Sequence, residues 1–294
     1  MVGRDKVFQI LANCIMAVLV LYCMLPLLLL FSSSITEEQA LIVDGYSFVP
    51  SAIDWSAYKY ILIDSVQIVR GYGISAAVTL LGTVCNLTLT TLFAYPLSRR
   101  DLPGKTLIAF ILFFTMLFNG GLVPSYIMWT QIFHIKNTFW ALLVPNLMMN
   151  AFNVIMMRTY FTSNIPMELI DAAKIDGSGE YGILVRIILP MAKPILSTLA
   201  LLVGLGYWND WLNGLYYINQ DRLYSIQVLL NRMLMDTQFL MSSAAQKLSV
   251  DTSQLPSTGI KMAIAVMGIL PVLVVYPFLQ KYLVQGITIG AVKG

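Results

Sequence analysis

Long apolar runs, separated by short charged or turn-rich stretches, dominate the chain. Six of them meet the requirement of ~20 predominantly apolar residues for a membrane-spanning helix. They cover roughly 7–31, 74–97, 107–129, 138–157, 194–207 extended towards Trp211, and 262–279. The fifth is the weakest pattern, because Pro190, Pro194, Gly204 and Gly206 interrupt it. The first is longer than the 7–15 residues of a signal-peptide core, and Ser32, Ser33, Ser34 and Ile35 make a poor cleavage site, so it reads as a permanent span. The predicted class is an all-α membrane protein with six transmembrane helices.

An even number of spans places both termini on one side. Arg4 and Lys6 precede the first span, Arg99, Arg100 and Lys105 crowd the second connection, and Arg158, Lys174, Arg186 and Lys193 lie in the fourth. Lys281 and Lys293 follow the last span. The excess of Lys and Arg in these short connections makes that side, with both termini, cytoplasmic. The outer side then holds the acidic stretch from Glu37 to Asp64 and a long loop over about 211–261. The expected organisation is 1–73 for the first helix and its external connection, and 74–294 for a core carrying a cytoplasmic loop at about 158–193.

Composition agrees with the pattern. Hydrophobic residues make up 58% of the chain and charged ones 11%, and mean hydropathy is +0.76. A soluble domain carries about 25% charged residues, so the bilayer is the solvent that suits this balance. The net charge of +3 comes with no basic cluster, which gives no indication of nucleic acid as a partner. Cys14, Cys23 and Cys85 lie inside apolar runs and behave as small hydrophobes. His134, the single histidine, has no companion that would make a metal site. The helix cores hold no Asp, Glu, Lys, Arg or His. Ion-coupled carriers keep such costly charges at membrane depth for function, so their absence argues that the energy for any transport would come from elsewhere.

Two nucleotide-like patterns are decoys. Gly104-Lys105-Thr106 lacks the first glycine of a phosphate loop, since Arg99 occupies that position. Residues 71–76 fit G-x-G-x-x-A but lead into a membrane helix with no preceding strand. No cofactor is expected on this chain.

The fourth connection reads P-M-E-L-I-D-A-A-K-I-D-G over 166–177 and I-I-L-P over 187–190. Pro166 suits the first turn of a helix, and Glu168 and Asp171 favour its positive end. Leu169, Ala172, Ala173 and Asp176 are expected to form one small-residue docking face. Gly177 would end the helix, and a second short helix would run to Pro190. Taken alone, this is equally an amphipathic hairpin that only joins two spans.

Asp171-Ala172-Ala173, Gly177, Ile187, Leu189 and Pro190 match the spacing of a known signature: E-A-A, three residues, Gly, nine residues, I-x-L-P. Here the sequence resembles the permease subunits of binding-protein-dependent ABC importers, with Asp171 standing for the usual Glu. W-N-D-W at 208–211 and Q-K-Y-L-V-Q-G-I-T-I-G-A-V-K-G at 280–294 resemble the maltose-type carbohydrate branch. The resemblance implies an ABC importer permease fold in the bacterial cytoplasmic membrane. It implies a coupling helix that docks Glu168, Asp171, Ala172, Ala173, Gly177, Ile187, Leu189 and Pro190 against a separate ATPase subunit. It further implies a second permease subunit as a heterodimer partner, two ATPase subunits carrying ATP and Mg, an external solute-binding protein, and a carbohydrate substrate. A permease for a non-sugar solute, or an ion-coupled carrier, is the alternative.

Thr79, Thr83, Asn86 and Thr90 recur at helical spacing on the second span, and Asn146, Asn150 and Asn153 on the fourth. Neutral amides both donate and accept hydrogen bonds, as a hydroxylated ligand requires, although such groups also simply join helices. Trp208, Asn209 and Asp210 near the outer end of the fifth span are further candidates for the substrate path. In the external loop, Ile226, Val228, Leu229, Leu230, Met233 and Leu234 predict an embedded helix, followed by a polar stretch over 242–257.

Overall fold

A run of some thirty apolar residues has one stable form in lipid, because every backbone polar group must be satisfied within the segment. A computed structural model describes residues 2–59, 61–62, 66–240 and 258–291, and it shows helices throughout. Among these residues the only extended pairing is an isolated antiparallel bridge between Thr36 and Ile53. Three helices are long and apolar enough to cross a membrane, within Lys6–Ser34, Val66–Ser98 and Thr258–Pro277. Two bent pairs bring the number to five if each is one span: Lys105–Leu117 with Leu122–Ile132 at 111°, and Glu180–Met191 with Lys193–Trp208 at 80°.

Besides two short helices at Glu38–Val43 and Ser56–Lys59, the helices in chain order are α1 (Val2–Ser34), α2 (Val66–Ser98), α3 (Lys105–Leu117), α4 (Leu122–Ile127), α5 (Trp140–Leu143) and α6 (Ala151–Asn164). They continue with α7 (Met167–Ile175), α8 (Glu180–Ile183), α9 (Lys193–Trp208), α10 (Leu212–Tyr217), α11 (Ile226–Leu240) and α12 (Thr258–Ala291). The continuous helix expected over 138–157 is not found. It is divided into α5 and α6 by residues 144–150, where Pro145 has no N–H to donate and Asn146 sits at φ +63°. The third predicted run bends at 118–121, where Gly121 adopts φ +85°.

Contacts divide the chain into two units. The first comprises Met1–Val69 and Leu229–Pro271. In it Ser32 Oγ donates to the Ser47 carbonyl at 2.8 Å, and the Glu38 carboxylate accepts the N–H groups of Thr258 and Gly259, each at 2.9 Å. A carboxylate there neutralises the positive end of α12. The second unit comprises Arg70–Val228 and Val272–Gly294, and its core joins Ala94, Tyr95 and Leu97 of α2 to Val154, Met157 and Phe161 of α6. Ile170 and Ala173 of α7, Ile183 of α8, and Ile195 and Leu199 of α9 complete the same cluster. α7 is thus packed on the ends of the neighbouring helices.

The helix predicted within 211–261 is present as α11, with Ile226, Val228 and Leu229 buried. The polar stretch 242–257 and the last residues of the C-terminal motif lie outside the described residues.

Candidate functional site

The 166–190 segment folds as two short helical pieces around a turn. Pro166 stands at the N-cap of α7 with an extended backbone, one residue ahead of the expected first-turn position. At the other end, Gly177 N–H donates to Lys174 O at 3.0 Å and Ser178 N–H to Ala173 O at 2.9 Å. That pair of bonds is a Schellman motif, which requires a left-handed residue between them. Gly177 supplies it at φ +81°, and a Cβ there would meet nothing within 4 Å. Backbone conformation rather than space selects the glycine.

The docking face differs from the expected one. Ile170 and Ala173 point inward, whereas Glu168, Leu169, Asp171, Ala172 and Asp176 are exposed and Ile175 is 86% exposed. Ala173 therefore anchors the helix, and the outward surface mixes acidic and apolar groups. Beyond the turn, α8 runs into a π-helical stretch, Leu184–Ile188, and a last turn, Leu189–Met191. A π-bulge ahead of Pro190 lets the helix absorb a residue that cannot donate. Ile187 and Leu189 pack half-buried against the core, and Pro190 is exposed.

Charged groups tie this loop to the end of α2. Glu180 accepts a hydrogen bond from the Tyr95 hydroxyl and lies 2.9 Å from Lys174 Nζ and 3.8 Å from Arg99 Nη2. Lys174 also reaches Asp101 at 3.4 Å, and Arg99 Nε reaches Asp101 at 3.7 Å. The Tyr95 hydroxyl, and after it Lys174 and Arg99, hold the Glu180 carboxyl below its usual range. The bond to Glu180 raises the Lys174 pKa. None of these residues was singled out as a site in the sequence; Arg99 and Lys174 stood out only as basic residues of the second and fourth connections.

Away from this loop, the break in the fourth predicted segment frees carbonyls that other helices satisfy. Tyr207 OH donates to Leu143 O at 2.9 Å, Asn213 Nδ2 to Pro145 O at 3.0 Å, and Asn86 Nδ2 to Leu147 O at 2.7 Å. Irregular backbone at membrane depth is tolerated where it is buried in protein or lines a cavity, and a cavity is present. It has a volume of about 190 Å³ and is lined by Asn86, Asn146, Asn150 and Asn153, with Leu147, Leu202, Val203 and Gly206. Asn150 also caps α6, its Oδ1 accepting Phe152 N–H at 2.8 Å. The left-handed turn at Asn146 suits the residue type best able, after glycine, to adopt it.

The single polar stripe expected on the second span divides in two. Asn86 is held by Leu147 and by Thr90, whose hydroxyl donates to Asn86 Oδ1 at 3.1 Å. Thr79 and Thr83 pack instead against Gly204 of α9, outside the cavity lining. The residues of the tryptophan motif also lie outside the cavity lining. Trp208 is buried with its ring tilted against Tyr72 at 6.4 Å, Asp210 accepts Asn213 N–H at 3.3 Å ahead of α10, and exposed Asn209 faces Gln227 at 3.4 Å. Among the described residues no group of His, Cys, Asp and Glu could hold a metal.

The profile of the family described as "Binding-protein-dependent transport system inner membrane component" matches residues 4–289. The chain belongs to this family. As a family member it is a multi-pass inner-membrane component of a transport system rather than a free-standing catalyst. Over 291 residues the permease is 33% identical to the polygalacturonan/rhamnogalacturonan transport system permease protein YtcP of Bacillus subtilis, covering 99% of this chain and 100% of the relative. It is 36% identical to protein LplC of Bacillus subtilis, over 92% of this chain and 89% of that one. Among solved structures, a chain of a bacterial ABC transporter involved in the import of the acidic polysaccharide alginate superposes with a TM-score of 0.81. That match is at 30% identity and covers 95% of this permease and 97% of that chain.

Proposed function

We propose that this permease forms half of the translocation path of an ATP-driven importer for an oligosaccharide or polysaccharide. The observation that carries the reading is the asparagine-lined cavity at the break in the fourth segment. Four uncharged amides line one opening; the Asn86 amide and the Asn150 oxygen are engaged by the protein, and the remaining donors and acceptors match sugar hydroxyls. Discontinuous membrane helices place such groups at substrate sites in other transporters. The names of the relatives, which concern polygalacturonan, rhamnogalacturonan and alginate, support the substrate class.

The permease has six spans in this reading, with both termini cytoplasmic, and pairs with a second permease subunit. Two ATPase subunits hold ATP and Mg²⁺ and dock on the exposed face of α7. An external binding protein delivers the sugar.

The test is reconstitution with the two partner classes and the binding protein in liposomes. ATP-dependent uptake of a labelled oligosaccharide is expected, and Asn153→Leu should reduce it without loss of assembly. Uptake driven by a proton or sodium gradient in the isolated chain, or uptake only of a non-sugar solute, would overturn the proposal.

A further inference from the structure

Four charges and one phenol meet where the 166–190 segment touches α2, and they are contributed by separate pieces of chain. Tyr95 lies in the last turn of α2, and Arg99 and Asp101 follow it. Lys174 comes from α7, and Glu180 opens α8. Glu180 contacts Tyr95, Arg99 and Lys174, and it is the group that joins the loop cation Lys174 to both Tyr95 and Arg99 at the end of α2.

The set is electrically balanced, with two cations and two carboxylates, yet unequally satisfied. The Arg99 side chain is only 7% exposed, and its Nε and Nη1 have no hydrogen-bond partner. Its other partners are distant, Asp101 at 3.7 Å from Nε and the Tyr95 ring at 5.9 Å, so a closer carboxylate would satisfy this buried guanidinium better. Its Nη2 faces Glu180 at 3.8 Å, while Glu180 is held at 2.9 Å by Lys174. The same carboxylate therefore has two cationic partners, one on the loop and one on α2. Displacement of Lys174 leaves Glu180 free to close on Arg99, whose fork is suited to two parallel bonds. Packed, hydrogen-bonded elements of this kind switch between discrete arrangements rather than deforming smoothly.

We propose that Glu180 is the positioning residue through which movement of α7 is passed to α2. Tyr95 and Arg99 form its receptor, and Lys174 is the partner it exchanges. This rests on the reading of α7 as the ATPase-docking helix. Its consequence reaches the cavity, because Asn86 lies on the same helix nine residues before Tyr95, about 13 Å along the axis. A turn or shift of α2 at its charged end moves Asn86, and with it the Leu147 carbonyl that Asn86 holds. The loop and the cavity thus share one rigid lever.

The experiment uses the assembled importer in liposomes and measures ATP hydrolysis and sugar uptake together. Tyr95→Phe, Glu180→Gln and the double variant are compared. Each single variant should lower sugar moved per ATP about fivefold, the low end of a coupling interaction. The double variant should be no worse than the worse single one, as for groups acting in one contact. Tyr95→Phe removes a single oxygen and keeps the ring, so it carries the test if Glu180→Gln does not assemble. An unchanged yield of sugar per ATP, or single losses that multiply in the double variant, overturns the proposal. Hydrolysis and uptake falling in proportion would indicate a merely structural role and also overturns it. Docking is checked separately by cross-linking Ile175→Cys to the ATPase. Failure of that link sinks the reading of α7 itself, whereas a retained link with unchanged coupling sinks only the role of Glu180.

Discussion

α1 and α2 are both 33 residues long, and each contains one interior proline, Pro26 or Pro96. None of the apolar window of α1 is buried within the chain, against 28% of that of α2. Side chains from Val7 to Leu28 stand largely exposed on every side of α1, and among its described side chains only Ser32, Ser33 and Ser34 at its end are buried. α2 buries Ser75, Asn86, Thr90 and Thr91 among its apolar residues, and its close approach to α9 depends on Gly82 and Gly204. Equal length therefore conceals two occupations. A helix that is apolar all round is fitted to lipid and needs no internal partner. One with a polar stripe must place each donor and acceptor, and it becomes the axis on which the cavity and the charged cluster are built.

Substitutions that ignore this difference should have the largest effects on α2. A Cβ at Gly82 would lie 2.5 Å from the Tyr207 ring, and Tyr207 also holds the Leu143 carbonyl. Gly82→Val should cost about 1–3 kcal/mol or more through overpacking, and should be seen as loss of assembled importer on gel filtration. Normal assembly would show that α2 and α9 separate more easily than this packing implies.

Next is Asn86→Leu, which removes a hydrogen bond to Leu147 and the acceptor for Thr90. A loss of about 1–2 kcal/mol is expected for such bonds in membranes, read as a lower melting temperature in detergent. Sugar uptake should fall further than the loss of folded protein explains. Uptake that merely tracks the folded fraction would remove Asn86 from the path.

In the unit containing α1, the polar anchor is Glu38 at the start of α12. Glu38→Ala should cost about 1 kcal/mol, as for loss of a helix cap, with uptake per folded molecule unchanged. A change in transport itself would give that unit a role beyond anchoring.

Leu19→Ala in α1 should fall within about 0.5 kcal/mol of the parent, since no core contact is lost. A drop above that would identify a partner helix packed on this face.

The smallest effect concerns pH at the charged end of α2. Glu180 is held below its ordinary pKa by Tyr95, Lys174 and Arg99. A depressed carboxylate contributes stability that is present above the unfolded pKa and lost as pH falls through the folded one. Asp101 is depressed too, first by its own backbone N–H and then by Lys174 and Arg99. Sugar moved per ATP should therefore stay flat between about pH 8 and pH 6, well above the usual carboxylate range. A decline across that interval would mean that Glu180 is not held in its charged form.

Much of this organisation is legible in the sequence because it is local or periodic. The apolar runs determine helices and membrane residence, since in hydrocarbon the backbone has few other forms. Gly177 determines the turn after α7, since the left-handed position there disfavours any side chain. The motif spacing from Asp171 to Pro190 indicates the family before any contact is known. Contacts between distant segments are decided only by the tertiary structure. Whether Thr79 and Thr83 meet a cavity or Gly204 depends on the rotation of α2 against α9, which a stripe of spacing four cannot specify. The break over 144–150 is stable because Tyr207, Asn213 and Asn86 arrive from other helices to take its freed carbonyls; without them an unsatisfied carbonyl in that setting is costly. Glu180 meets Tyr95 across 85 residues of chain. Their pairing follows from the packing of α7 and α8 on α2, and the local pattern around either residue carries no trace of it.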